Sequence, residues 1–339
     1  MPRSRSSTPR HKPVAISDGA RLSLIVGQVL HTDESPIDAR LVRAMIDRAM
    51  PQCVGLPVRR LASSGSTNVL FRLGHDLVVR LPRQPGGSAT ISKEAKWLPV
   101  LGPRLPVAVP EVVAVFEPDC GYPQRWSVVR WIAGAHPEVF NPDMPVHPRR
   151  ADLAVQLAEV LRALAQAEVP SEAFTDLDLR SYRGEPLATM DEATRENIER
   201  CRALGDFELD LDAAERVWSE AVTLPGANVR TAPRWYHGDI AAENLLLQDV
   251  TLAALLDFGG LSIGDPAVDL AVAWEVLDPP ARELFRSHLG VDDATWLRGR
   301  AWALSITLMI WYYWTTMPAR RTSRIAIGRN VLADAGYHV

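Results

Sequence analysis

Three polar side chains within one stretch of the sequence have the types and the spacing for chemistry on a phosphate. The stretch is Trp235 to Leu270, WYHGDIAAENLLLQDVTLAALLDFGGLSIGDPAVDL. Asp239 follows His237-Gly238. Asn244 stands five residues further on, at the start of a short apolar run, and Asp257 follows a second such run and precedes Phe258-Gly259. If Leu245–Leu247 and Ala253–Leu256 pair as a hairpin across residues 248–252, Asn244 and Asp257 come side by side. One amide oxygen and one carboxylate suit Mg2+, which takes few protein ligands and completes its shell with water and phosphate oxygens. Asp239 then stands beside the metal, placed to accept the proton of an incoming hydroxyl. Metal on the phosphates and a carboxylate on the nucleophile is the layout that phosphoryl transfer requires. The plainer alternative is that all three are turn and cap residues, a common use of Asp and Asn.

The pattern HGDxxxxN, then DFG, then GDPxxDLA resembles the aminoglycoside phosphotransferase family, antibiotic kinases of the protein-kinase-like fold that include macrolide kinases. The resemblance runs from about Ile37 to Met317. It implies an α+β, bilobal fold with a strand-rich N-lobe over 33–131 and a mainly helical C-lobe over 132–339, residues 1–32 forming a disordered or loosely attached extension. It implies Asp239 as the catalytic carboxylate and Asn244 and Asp257 as metal ligands. His237, Asp265 and Asp269 become supporting residues: Asp265 caps the helix begun at Pro266, and Asp269 holds the backbone of the catalytic loop. Ser63 to Asn68 becomes the loop over the phosphates, with Ser64, Gly65, Ser66 and Asn68 as its contacts. That loop departs from the protein-kinase pattern, with one glycine where GxGxxG has three. Arg80, in LVVRLPR, takes the place of the phosphate-binding Lys, and Glu94 becomes the partner that orients it. Arg is a different reader of phosphate from Lys, planar and bidentate. The base would be read by the hinge backbone near Arg130 and Ile132, which leaves ATP and GTP equally open as donor, with Mg2+.

The elements that must hold these residues can be read in outline. Asp33–Met50 has the pattern of an amphipathic helix capped by Ser35 with Pro36 at its first position. Val69–Leu73 and Asp76–Leu81 read as strands joined at Gly74-His75. Ser88–Leu98 reads as a short helix, and Val112–Phe116 and Trp126–Ile132 as further strands. After Gly134 helical patterns dominate, beginning with Ala151–Ala167. The acceptor site is expected from this second part, from residues 175–220 and from an aromatic helix over 302–317 that carries Trp311, Tyr312, Tyr313 and Trp314. Glu243, Glu275 and Asp278 are the expected acidic wall. An acidic, aromatic pocket predicts a hydroxylated acceptor that also carries an amine.

Composition limits the alternatives. The chain has 339 residues, 37 Lys and Arg against 41 Asp and Glu, and so a formal charge of −4. That balance argues against nucleic acid as a partner. Ala301–Met317 is uncharged, but as a helix of about 25 Å it falls short of a bilayer core, so it reads as a core helix rather than a membrane span. Cys53, Cys120 and Cys201 form no CxxC pair, which points to a reducing, cytoplasmic setting. Oligomeric state is open. Three function classes remain: a kinase acting on an aminoglycoside or macrolide antibiotic, a metabolite kinase acting on an amino alcohol, sugar or amino acid, and a non-catalytic binding protein.

Overall fold

The first helix starts later than its sequence pattern predicts. In the structure, a computed structural model that describes residues 33–61 and 67–338, the Ser35 amide donates to Arg83 O at 3.1 Å and Glu34 pairs with Arg83 at 3.3 Å. These contacts hold the chain extended through Pro36. Helix α1 therefore spans Ala39–Ala49, and its cap is Asp38, whose carboxylate accepts from the Leu41 amide at 2.8 Å. Ser35 is not the cap. The extension 1–32 and the loop residues Ser64, Gly65 and Ser66 lie outside the described residues.

Five antiparallel strands follow. They are β1 (Val58–Arg60), β2 (Asn68–Leu73), β3 (Leu77–Pro82), β4 (Val112–Phe116) and β5 (Trp126–Arg130), in the order β1-β2-β3-β5-β4. Helix α2 (Gly87–Leu101) is inserted between β3 and β4. Three-residue β1 carries no alternation to read, and β5 ends two residues before its pattern does. Val42, Met45 and Ile46 of α1 pack against Val69, Phe71, Val79 and Val128, closing one face of the sheet.

The second part is mainly helical, with α3 (Pro148–Gln166), α4 (Asp191–Arg202) and α5 (Leu211–Ala221) before the segment that holds Asp239, Asn244 and Asp257. That segment supplies β6 (Arg234–Tyr236), the hairpin β7 (Leu245–Gln248) and β8 (Thr251–Leu255), and β9 (Ser262–Gly264), which pairs with β6. Helices α6 (Val272–Val276), α7 (Pro279–Leu289), α8 (Asp293–Leu308) and α9 (Pro318–Asp334) complete the chain. Their core is built around Leu157, Trp218, Trp235, Phe258 and Trp274. The C-terminal half of α2 (Trp97, Leu98, Leu101) belongs to this core as well. Trp97 stacks obliquely on Trp235 with centroids 5.3 Å apart. So α2 bridges the two parts.

The aromatic helix expected over 302–317 is not continuous. Helix α8 stops at Leu308, and Met309–Tyr313 tightens into a 3-10 turn. Residues three apart eclipse in such a turn. Trp311 and Trp314 use this to reach one neighbourhood: their indoles donate to Asn197 at 2.8 Å and Asp206 at 3.0 Å. Among the described residues no helix is long and apolar enough to cross a membrane.

Candidate active site

The β6–β9 pair carries the loop that presents Asp239. Asp269, in the 3-10 turn Pro266–Ala271, is buried beneath it. Its two oxygens accept the amides of His237 and Gly238, each at 2.7 Å. Burial pushes the Asp269 carboxyl up to about 7, against the pull of those two amides. Asp265 accepts from the Ala267 amide at 3.0 Å and so caps the same turn. His237 is fully buried. Its Nδ1 lies 3.2 Å from the Asp239 amide and its Nε2 lies 2.9 Å from Leu256 O. The Asp239 amide must donate, so Nδ1 accepts and Nε2 carries the proton, a neutral ring that burial also favours. His237 thus ties the loop to the end of β8.

The β7–β8 hairpin places Asn244 beside the residues after β8. The Leu256 amide donates to Asn244 O at 2.8 Å. Asn244 donates its side-chain N–H to Asp239 O at 2.8 Å, which leaves its amide oxygen free of that bond. Asp257 adopts a left-handed conformation, φ 55° and ψ 72°, and its carboxylate accepts from the Gly259 amide at 3.3 Å. One carboxylate and one amide oxygen fit Mg2+ bound to a nucleotide, with phosphate and water filling the remaining positions. The described residues hold no group of three or more His, Cys, Asp and Glu side chains able to bind a metal by themselves.

Arg80 and Glu94 form a two-bond pair in the interior, with side chains 7% and 1% exposed. Nη2 donates to Oε1 at 3.0 Å and Nη1 donates to Oε2. Nη2 also lies 3.6 Å from Asp257. Burial would lower the Arg80 pKa, but Glu94 and Asp257 outweigh it and hold the guanidinium charged. A chain of contacts therefore runs from α2 through Arg80 to the Asp257 carboxylate. Lys93 adds a second link: its Nζ donates to Gly259 O at 2.7 Å. Asn68 is buried at the start of β2, its side chain donating to Thr67 Oγ1 at 3.3 Å. At the expected hinge, the Arg130 amide bonds Glu111 O and the Trp131 amide bonds Asp76 O, so neither amide is open to a nucleotide base. The Arg130 side chain is exposed and paired with Glu111 at 3.4 Å.

Arginines dominate the other side of Asp239. Arg183 Nη1 donates to Asp239 Oδ1 at 2.8 Å and also to Gly238 O. Burial would raise the Asp239 carboxyl, but Arg183, with Arg324 behind it, holds it below the usual carboxylate range. The expected acidic wall is not free. Glu243 is paired with Arg320, and the buried Glu275 lies 3.9 Å from Arg324. Asp278 is buried as the cap of α7, accepting from the Ala281 and His147 amides. Both pairing arginines come from α9, which the sequence pattern did not connect to the site. Arg183, Arg324 and Lys93 escaped notice for the same reason, although Lys93 left one trace. The chain has lysine at positions 12, 93 and 96 alone, and every other basic residue is Arg.

Comparisons with known proteins identify the fold and the family. No curated protein matches the chain in sequence. Among solved structures, an aminoglycoside phosphotransferase in complex with GDP and kanamycin superposes with a TM-score of 0.61 at 20% identity, covering 87% of this chain and 98% of that one. The macrolide 2'-phosphotransferase MphH from Brachybacterium faecium gives 0.55 at 22% identity, covering 85% and 96%. A streptomycin–ATP complex of another aminoglycoside phosphotransferase gives 0.57 at 16%, covering 82% and 91%. These likenesses establish a shared bilobal, kinase-like fold. The model of the phosphotransferase enzyme family matches residues 58–302, a span that runs from β1 into α8 and holds Arg80, Glu94, Asp239, Asn244 and Asp257; the chain belongs to that family, enzymes that move a phosphoryl group onto a hydroxyl.

Proposed function

We propose that the protein transfers the γ-phosphoryl group of Mg-bound ATP or GTP to a hydroxyl of a small antibiotic, an aminoglycoside or a macrolide. The observation that carries this reading is the placement of Asp239. Arg183 takes one of its oxygens, and Oδ2 has no hydrogen-bond partner among the described residues. Held ionised, that oxygen can orient the acceptor hydroxyl and accept its proton as the hydroxyl oxygen bonds to phosphorus and the β–γ bridging bond breaks. Asn244 and Asp257 would hold the metal, which when bound neutralises charge developing on the phosphates. Arg80, kept in place by Glu94, would bind the α- and β-phosphates, and Asn68 with Ser64, Gly65 and Ser66 would cover them. The backbone of Arg130 to Ile132 would line the base site.

The acceptor reading is sharpened by the paired carboxylates. A polycationic aminoglycoside would have to compete with Arg320 and Arg324 for Glu243 and Glu275. A macrolide, with one basic amine and a large apolar surface, meets less of this competition. We therefore favour a macrolide-type acceptor and a cytoplasmic setting, in keeping with three free cysteines.

The test is nucleotide consumption by purified protein with erythromycin, kanamycin, gentamicin, amino alcohols and sugars. A macrolide should be phosphorylated on oxygen, and Asp239→Asn should lower kcat by about 10²–10⁴-fold with the fold intact. Turnover of an amino alcohol or sugar alone would replace the antibiotic reading with a metabolite kinase. Near-wild-type kcat in Asp239→Asn would remove the role of Asp239.

A further inference from the structure

Arg183 sits in the segment 170–230, where the sequence carries no readable motif, yet its side chain reaches the centre of the site. It lies in the 3-10 turn Tyr182–Gly184 and is 18% exposed. Nη1 bridges Asp239 Oδ1 and Gly238 O, gripping both the side chain and the backbone of the catalytic loop. Nε donates to the Tyr182 hydroxyl at 3.1 Å. These bonds fix the plane of the guanidinium, and that plane fixes which oxygen of Asp239 is taken.

The turn itself is seated by the GDP motif. The Asp265 amide donates to Gly184 O at 3.0 Å. This approach needs glycine on both sides. A Cβ on Gly264 would stand 2.5 Å from Gly184 O and 2.8 Å from its Cα, and a Cβ on Gly184 would stand 2.6 Å from the Tyr236 ring and hydroxyl. Gly264 therefore has a use that lies outside helix capping: it lets the turn carrying Arg183 come down on β6 and β9. A surface ion pair needs no such seat, and exposed pairs contribute little to stability. A preorganised cation on a catalytic carboxylate is what geometry held to a fraction of an ångström requires.

We propose that Arg183 is a positioning residue for phosphoryl transfer, clamping Oδ1 of Asp239 so that Oδ2 faces the acceptor hydroxyl. The inference rests on the phosphotransfer reading above. It also accounts for charge. A bare carboxylate next to the γ-phosphate repels it, and an adjacent guanidinium offsets that repulsion while leaving a lone pair for the hydroxyl proton.

The experiment compares wild type, Arg183→Ala and Arg183→Lys by steady-state kinetics with Mg-ATP and Mg-GTP. The acceptors are erythromycin, kanamycin and, in their absence, water. Arg183→Ala should lose about a hundredfold in kcat while KM for the nucleotide stays within about twofold, because misorientation acts on the reacting atoms and not on donor binding. Added guanidinium ion should restore at least about tenfold of the loss in Arg183→Ala and nothing in Asp239→Asn, and Arg183→Lys should fall between wild type and Arg183→Ala. Wild-type kcat in Arg183→Ala would overturn the proposal. So would a loss in which kcat falls, nucleotide KM rises in step and guanidinium has no effect, because that is the signature of a merely structural pair. Failure of the underlying reading looks different: the wild-type protein would bind Mg-nucleotide but consume none of it, whether the acceptor offered is erythromycin, kanamycin or water.

Discussion

Asn244 and Asp257 differ in what their loss should do. As a metal ligand Asn244 would contribute a neutral oxygen, and it already donates to Asp239 O, so its replacement would loosen the loop as well as the metal. Asp257 would contribute the charge. Alanine at its left-handed φ of 55° would add backbone strain to the loss of a ligand, whereas Asn tolerates that conformation. Asp257→Asn is therefore the cleaner variant. It should weaken Mg-nucleotide binding by about tenfold or more, each tenfold being about 1.4 kcal/mol, with thermal stability little changed. Calorimetric titration with Mg-ATP and Mg-GTP reads this directly, and an unchanged affinity would remove Asp257 from the metal site. These two residues could be found from sequence because a short hairpin forces them together. Arg183 could not, because its bond to Asp239 closes a separation of 56 residues that no local pattern encodes.

Helix α2 couples the nucleotide site to the rest of the molecule. It carries Glu94 to Arg80, Lys93 to Gly259 O, and Lys96 and Trp97 to Asp176 at 2.7 and 3.0 Å. Removing one partner of a pair as buried as Arg80–Glu94 typically costs about 3–5 kcal/mol, so Glu94→Ala threatens folding itself. Glu94→Gln keeps the shape and one acceptor. It should raise nucleotide KM, and combined with Arg80→Lys it should be non-additive, with a coupling of about 0.5–3 kcal/mol. Strict additivity would show that the two act separately. Lys93→Met should raise nucleotide KM with kcat nearly unchanged, since it frees the Asp257–Gly259 turn from α2 without touching Asp239; a fall in kcat alone would refute this coupling. The strands and helices with strong periodicity were legible in the sequence, among them β2, β3, α3 and the β7–β8 hairpin. Strands β1, β6 and β9 were not, since three residues cannot show an alternation. The break after α8 was not legible either, because it depends on where Trp311 and Trp314 find their partners.

The two larger apolar cores lie one under the sheet and one within the helices. The chain as a whole carries −4, and on that balance an amine-bearing acceptor is the natural expectation. The site is balanced differently. Beside Asp239 the carboxylates of Asp239, Glu243 and Glu275 pair with Arg183, Arg320 and Arg324, three of each sign, so these groups leave little uncompensated charge for an approaching amine. Exposed charges are screened over about 10 Å at 0.1 M salt, and an acceptor drawn in by a net field would lose affinity steeply as salt rises. Here the acceptor KM should change by less than about threefold between about 0.05 and 0.5 M NaCl, measured with a macrolide at saturating Mg-nucleotide. A macrolide analogue in which the basic amine is replaced by a neutral group should likewise keep a nearly unaltered KM. A KM that climbs tenfold or more over that range would mean that the acceptor breaks the Glu243–Arg320 and Glu275–Arg324 pairs and takes the carboxylates for itself. In that case α9 would have to shift on binding, Arg320→Ala and Arg324→Ala would tighten a polycationic acceptor, and the preference for a weakly basic acceptor would give way to an aminoglycoside.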